Sequence, residues 1–425
     1  MTKSSGEKIL DKKISRRQML KLTGAGAAGI AIGATGFGGV MKVMGMDLFE
    51  SVADSTGSKN KIPFYGKHQS GIATPAQTNI YFASLNVLVT SKQELQELFK
   101  MWTPLVVRLM NGEKIAEDSS NTRVPTEDTG EAEGLDASNL TITMGVGPSL
   151  FEKSELGLAG KNPKELSDLP HFPKDQLQPQ FTGGDLCIQA CADDPQVAFH
   201  AVRNLVRAAS GKVEVKWTQA GFNSFPAKGG TPRNLFSFKD GTENPDMTDE
   251  KDANEVVWVQ NGDSKSWLTN GTYLVVLRIQ MHLETWARTS LKDQEATFGR
   301  HRDSGAPIGM KNEFDKVDIK STDSKGNLLI PENSHVHLSK KVNARILRRA
   351  FSYASGVIDE TGAHDAGLLF ISFQKNPNQF TTIQNSLGRL DRLNEYITHR
   401  GSAVFACFPG VQKGSYLGEA LFSAL

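Results

Sequence analysis

Four times along the chain a strand-like apolar run passes into a segment whose apolar residues recur every three to four positions. The first pair is YFASLNVLVT, from Tyr81, followed by SKQELQELFKMWTPLVVRL, with Ser91 placed to cap a helix. The second is DLCIQACA followed by DDPQVAFHAVRNLVRAA, where Pro195 fits the first helical turn. The third, TYLVVLRIQ then MHLETWARTS, and the fourth, AGLLFISFQ then NPNQFTTIQNSLGRL, repeat the alternation. The pairs also recur at a near-constant offset: Leu274 follows Leu85 by 189 positions, and Leu368 follows Leu186 by 182. This pattern predicts an internal duplication, with domains over about 56–215 and 216–425. Each is an α+β unit with a mostly antiparallel sheet, because no Gly-rich phosphate loop follows any strand. Two linked sheets with helices outside predict an inter-domain crevice for a ligand. The polar stretches 111–135 and 311–333 read as surface loops.

Charge narrows the function. Lys plus Arg number 48 against 47 Asp plus Glu, so there is no global field for nucleic acid or an acidic membrane. The N-terminus departs from this balance: Arg16 and Arg17 precede an uncharged, Gly-rich run from Leu22 to Met41. That layout makes residues 1–55 an export signal rather than a folded element, and it resembles a twin-arginine (Tat) signal, whose machinery carries folded proteins. Cleavage is expected near Ser51 to Ser55, with an uncleaved anchor as the alternative. Export predicts a periplasmic, extracellular or cell-surface location. The three cysteines, Cys187, Cys191 and Cys407, lack metal spacing. In an extended strand Cys187 and Cys191 sit about 13 Å apart, beyond disulfide reach, so they read as buried thiols.

Two segments stand out chemically. FSFKDGTENPD, Phe236 to Asp246, crowds Asp240, Glu243, Asn244 and Asp246 around Gly241; Asp-Gly is first a turn signal. In the second, SHVHLSKKVNARILRRAFSY, His335 reads as part of an extended run that enters an Arg-rich helix carrying Arg348 and Arg349. Thirteen positions separate His335 from Arg348, enough to reach opposite faces of one ligand. Of the other histidines, His68 and His171 fall in loop-like text and His200 and His282 in helical text. His399 reads as a cation near a helix end.

Five stretches, FYGKHQSGIATPAQ, FSFKDGTENP, GRHRDSGAPIG, SHVHL with RILRRAFSY, and LDRLNEYITHRGSAVFACFPG, occur in the order seen in dye-decolourising (DyP-type) haem peroxidases. The chain after residue 60 resembles that family throughout. With its signal it is most similar to the exported, iron-uptake-associated EfeB-type branch, described as peroxidase or deferrochelatase. The resemblance implies two ferredoxin-like units and haem b. It places the iron ligand on His335, the carboxylate that orients it on Asp391, and the catalytic acid-base on Asp240. The distal arginine falls on Arg348 and the family's Asn-Pro on Asn244; Gly241, Thr242 and Glu243 lie against the cofactor, and Arg300 is a candidate partner for its propionates. The family's first motif glycine is Ser237 here. The implied partners are hydrogen peroxide, a small-molecule or ferrous-iron reductant, the Tat machinery and membrane-associated iron-uptake components. The implied activity is oxidation of dyes, phenols or ferrous iron; the alternatives are iron release from haem and a non-catalytic haem or iron carrier. Bulky donors are expected to react at surface aromatics drawn from Trp102, Trp217, Trp258, Trp267, Trp286 and the six tyrosines.

Overall fold

The computed structural model describes residues 60–423 apart from 118, 228–229 and 359–360, so the Tat-like segment and its cleavage region lie outside the described residues. Among the described residues nine strands form: β1 (Asn79–Val87), β2 (Thr141–Val146), β3 (Leu186–Ala192), β4 (Val213–Phe222), β5 (Thr272–Met281), β6 (Leu347–Arg348), β7 (Phe351–Val357), β8 (His364–Gln374) and β9 (Ile397–Cys407). Five helices are used below: α1 (Lys92–Met110) and α2 (Pro195–Ala208) in the first half, and α3 (Leu291–Phe298), α4 (His335–Lys340) and α5 (Asn378–Leu387), which border the site, in the second. The start signals in the sequence work as expected. The Ser91 hydroxyl accepts from the Glu94 amide at 3.2 Å, and the Glu94 carboxylate accepts from the Thr90 amide. Pro195 opens α2 behind Asp194, whose side chain accepts from the Gln196 and Val197 amides.

Strand pairing makes the duplication explicit. In the first half the order is β4-β1-β3-β2, and in the second β9-β5-β8-β7, the same antiparallel ferredoxin-like arrangement twice. The halves are not two separate sheets. Edge strand β2 pairs with β9 through Gly145 and Val146, and β4 pairs with β7 at Phe222, so each half covers the edges of the other. The closed sheet encloses an apolar interior of Phe82, Trp217, Leu274, Val276, Phe373 and Phe405, together with the three free, buried thiols. The Cys187–Cys191 reading therefore holds. Gly145 lies between Cys187 and Cys407 in the ladder, and a Cβ there would meet the Cys407 Sγ at 3.0 Å.

Three expectations change. The boundary at 215/216 falls inside β4, whose ten residues pair with β1, so the division comes after Phe222. The sheet continuity replaces an open crevice with barrel seams, because unpaired edge strands are satisfied by each other. All five tryptophans are at most 5 % exposed and so are not surface donors.

The outer faces of the two half-sheets differ. Over the first half, α1 lays Leu95, Leu98, Phe99, Trp102 and Val106 into the core. After β5 there is no helix of that length, only short helical pieces and loops. Space consequently remains between the second half-sheet and its helices.

Candidate active site

That space is a cavity of about 250 Å³. Its floor is formed by β5, β8 and β9, through Leu277, Ile279, Leu368, Phe370 and Ile397, and α4, α5 and the 234–244 loop wall it in. Every residue lining it lies between 234 and 399, so it belongs to the second half rather than to a crevice between the two. The reason is the missing counterpart of α1.

His335 is the first residue of α4, not part of an extended run, and Ser334 caps that helix by accepting from the His337 amide. The imidazole donates through Nδ1 to Asp391 Oδ2 at 2.7 Å, which leaves Nε2 as its second nitrogen. Asp391 is fixed in turn: its Oδ1 accepts from the Leu393 amide, and it is 4 % exposed. Burial acts to lower the pKa of His335, but the Asp391 charge and hydrogen bond outweigh it, and the net shift is upward from 6.5.

On another wall Asp240 forms an ion pair with the Arg348 guanidinium. Arg348 belongs to β6 rather than to an Arg-rich helix, because the Leu347–Arg348 backbone pairs with Phe373 and Ser372 of β8. Asn244 holds that backbone from both sides: the Arg348 amide donates to Asn244 Oδ1 at 2.9 Å, and Asn244 Nδ2 donates to the Arg348 carbonyl at 2.8 Å. Burial pushes the guanidinium down to about 10, so it stays cationic at neutral pH. Its Nε is buried without a partner among the described residues. Neighbouring Arg349 points elsewhere and donates to the Pro75 carbonyl and to Gln77.

Gly241 has φ of +98°, within the range that favours glycine. Ser237, where the family has glycine, also has positive φ, +69°. Ser237→Gly should therefore raise stability by about 1 kcal/mol without altering the loop. A chemical-denaturation midpoint unchanged or lowered in that variant would contradict the strain argument.

Thr242 donates to Glu313 at 3.1 Å, and Glu243 pairs with Arg300 at 3.0 Å and Lys340 at 2.6 Å. Arg300 is 6 % exposed and also donates to the Gly305 and Glu313 carbonyls. The residues that the family resemblance puts at the site, Asp240, Gly241, Thr242, Glu243, Asn244, Arg300, His335, Arg348 and Asp391, line this one cavity, whereas Asp246 and Arg349 do not. Sequence reasoning missed Lys239, Lys340, Arg345 and the aromatic Phe298, which meets the His335 ring edge-on at 6.3 Å. It also misplaced His399, which is buried on β9, donates through Nδ1 to Asp175 at 2.6 Å and faces the cavity. The helix-end reading of His399 fails because β9 begins at Ile397, which places the residue in a strand.

The N-terminal Dyp-type peroxidase profile matches residues 69–223 and the C-terminal one matches 231–412. The chain belongs to the Dyp-type peroxidase family. Similar curated proteins include the deferrochelatases of Escherichia coli K12 and Shigella boydii. Each is 37 % identical, covering 96 % of this chain and 96 % of the relative. Among solved structures, a DyP-type peroxidase from Streptomyces coelicolor is 35 % identical with a TM-score of 0.78, covering 84 % of this chain and 96 % of that one. Ferric DtpA from Streptomyces lividans reaches a TM-score of 0.79 at 34 % identity, covering 88 % and 100 %. As a Dyp-type peroxidase the protein is a haem-dependent enzyme that uses hydrogen peroxide and a reductant.

The donor set fits haem. A flat macrocycle needs apolar walls, which Ile279, Phe298, Leu368 and Phe370 supply, and cations for its propionates, available in Arg300, Lys340 and Arg345. The iron needs one neutral imidazole nitrogen, and a carboxylate already holds the other nitrogen of His335. Because the His335 pKa is raised, the ring carries a proton in the haem-free protein at pH values above 6.5 where a free histidine would not. Ligation through this ring would displace that proton, and on that account haem uptake should strengthen as pH rises through the raised pKa. Soret titrations of the haem-free protein at about pH 6 and about pH 8 check this, and equal affinities would contradict it.

Proposed function

We propose that His335 holds the iron, and that Asp240 and Arg348 carry peroxide cleavage from the opposite wall. The observation that carries this reading is the convergence of the His335–Asp391 pair and the Asp240–Arg348 pair on one cavity. Haem supplies the iron that binds peroxide and accepts its oxidising equivalents. Asp240 takes the proton from one peroxide oxygen and returns it to the other as the O–O bond breaks, a role that contributes about 10²–10⁴-fold. Arg348 faces the oxygen on which negative charge develops and stabilises it through a fixed guanidinium. Asn244 sets the position of Arg348 rather than touching the reacting atoms, since both its hydrogen bonds go to that backbone. Asp391 keeps the ligand ring in one tautomer and makes it more basic. The test is the absorption spectrum of the haem-loaded protein before and after one equivalent of peroxide, followed by dye or ferrous-iron oxidation. A Soret band with no peroxide-dependent oxidation would favour a carrier.

A second reading, iron release from haem, is favoured by the deferrochelatase name of relatives matching over 96 % of this chain. Free protoporphyrin after incubation with haem would support it, and its absence would sink it. Export by the Tat route, to a periplasmic or cell-surface site linked to iron uptake, is supported by Arg16, Arg17 and the uncharged run that follows. Replacing both arginines with lysine should retain the protein in the cytoplasm.

A further inference from the structure

The long polar segment after α3 reads in sequence as featureless surface, and most of it is: Phe314 is 70 % exposed. Its neighbour Glu313 is different, with a side chain only 11 % exposed. Thr231 and Thr242 both donate hydroxyls to Oε1, and the Lys239 ammonium lies 3.5 Å from Oε2. These three residues bracket Asp240 along a hairpin loop whose ends are otherwise joined by the Arg233–Lys239 bridge and the Asp240 amide donating to the Pro232 carbonyl. Gly305 makes the approach possible, since a Cβ there would meet Lys239 Cγ at 2.7 Å and Glu313 Cγ at 3.2 Å. The backbone carbonyl of Glu313 accepts from Arg300, which ties the same point to the cavity wall.

We propose that Glu313 is a positioning residue for peroxide cleavage: it holds the Asp240 loop through Thr231 and Thr242 and neutralises Lys239 beside the acid. This rests on the reading of Asp240 as the proton-transferring group. A carboxylate that gathers two hydroxyls and an ammonium fixes where the loop, and so Asp240, sits. Its charge matters separately. Lys239 pairs with Glu313, the Arg300 guanidinium feels the charges of both Glu313 and Glu243, Glu243 pairs in turn with Lys340, and Arg348 faces Asp240 itself. Removing the negative charge of Glu313 leaves Lys239 uncompensated one residue from Asp240, which favours the ionised carboxylate and moves the acid limb of the rate profile to lower pH.

The experiment uses haem-loaded full-length protein and expresses kcat per bound haem. Glu313→Gln should lower kcat for peroxide-dependent dye oxidation about 10- to 100-fold, leave the KM for dye unchanged, and shift the acid limb downward. Glu313→Asp should recover part of the rate, and Thr242→Val, which keeps the Glu313–Lys239 pair, should lower the rate without moving the acid limb. Lost haem content with unchanged kinetics per haem in Glu313→Gln, or an unmoved acid limb, would overturn the proposal. Asp240→Asn run in parallel separates the two levels: if that variant keeps full activity the underlying reading fails, whereas an inactive Asp240→Asn beside an unaffected Glu313→Gln sinks the role of Glu313 alone.

Discussion

His335→Ala should leave the protein folded and nearly unable to hold haem. The ring is the first residue of a short helix capped by Ser334, and none of the described hydrogen bonds that hold α4 uses the imidazole itself. Its one bond goes to Asp391, which keeps its other contact, to the Leu393 amide. Loss of partners in the outer shell alone costs about 10–100-fold in metal affinity, so loss of the ligand itself should weaken haem binding by more than about 100-fold. The measurement is Soret absorbance per protein after haem addition, with circular dichroism to show that the fold survives. A normal Soret band would mean that the iron is held elsewhere, and His399, the other carboxylate-braced imidazole facing the cavity, would be the first residue to test.

Asp240→Asn should keep haem and lose catalysis. The amide preserves the shape of the side chain and can still accept from Arg348, but it cannot take up and return the peroxide proton. Peroxide reduction should fall by about 10²–10⁴-fold, with the loss appearing in rapid mixing with peroxide rather than in the later oxidation of dye. Arg348→Leu removes the charge proposed to face the departing oxygen and should cost about 10²–10³-fold at the same step. The two residues form one ion pair, so their effects should not add: the double variant should lie close to the worse single one. Full additivity would show that they act independently. Unchanged peroxide kinetics in Asp240→Asn would remove it from the mechanism.

The legible and illegible parts of this protein divide along physical lines. Helix starts at Ser91 and Pro195 and the apolar runs of β1, β3, β5 and β8 are written in local chemistry, in caps and in side-chain period. Arg348 was misread as helical because "NARILRR" carries good helix formers, yet backbone pairing with β8 overrode that preference. The sequence places His399 near a helix end and hides its buried site on β9, because its partner, Asp175, lies 224 positions earlier in the chain. Glu313 gave no signal at all: one acidic residue in a polar stretch looks the same whether it points to water or into a hydroxyl cluster.

By itself the sequence determined that the chain repeats one α+β unit, that its acid, arginine and histidine fall in a known order, and that its positive and negative side chains nearly balance. Those are properties of short windows and of their order. Only the tertiary structure decided that the two sheets close into one barrel, that the cavity lies wholly within the second half, and that Asp240 meets Arg348 while His335 meets Asp391. Each of these depends on which edges and faces remain uncovered once every strand and helix has packed, and no local pattern of residues carries that information.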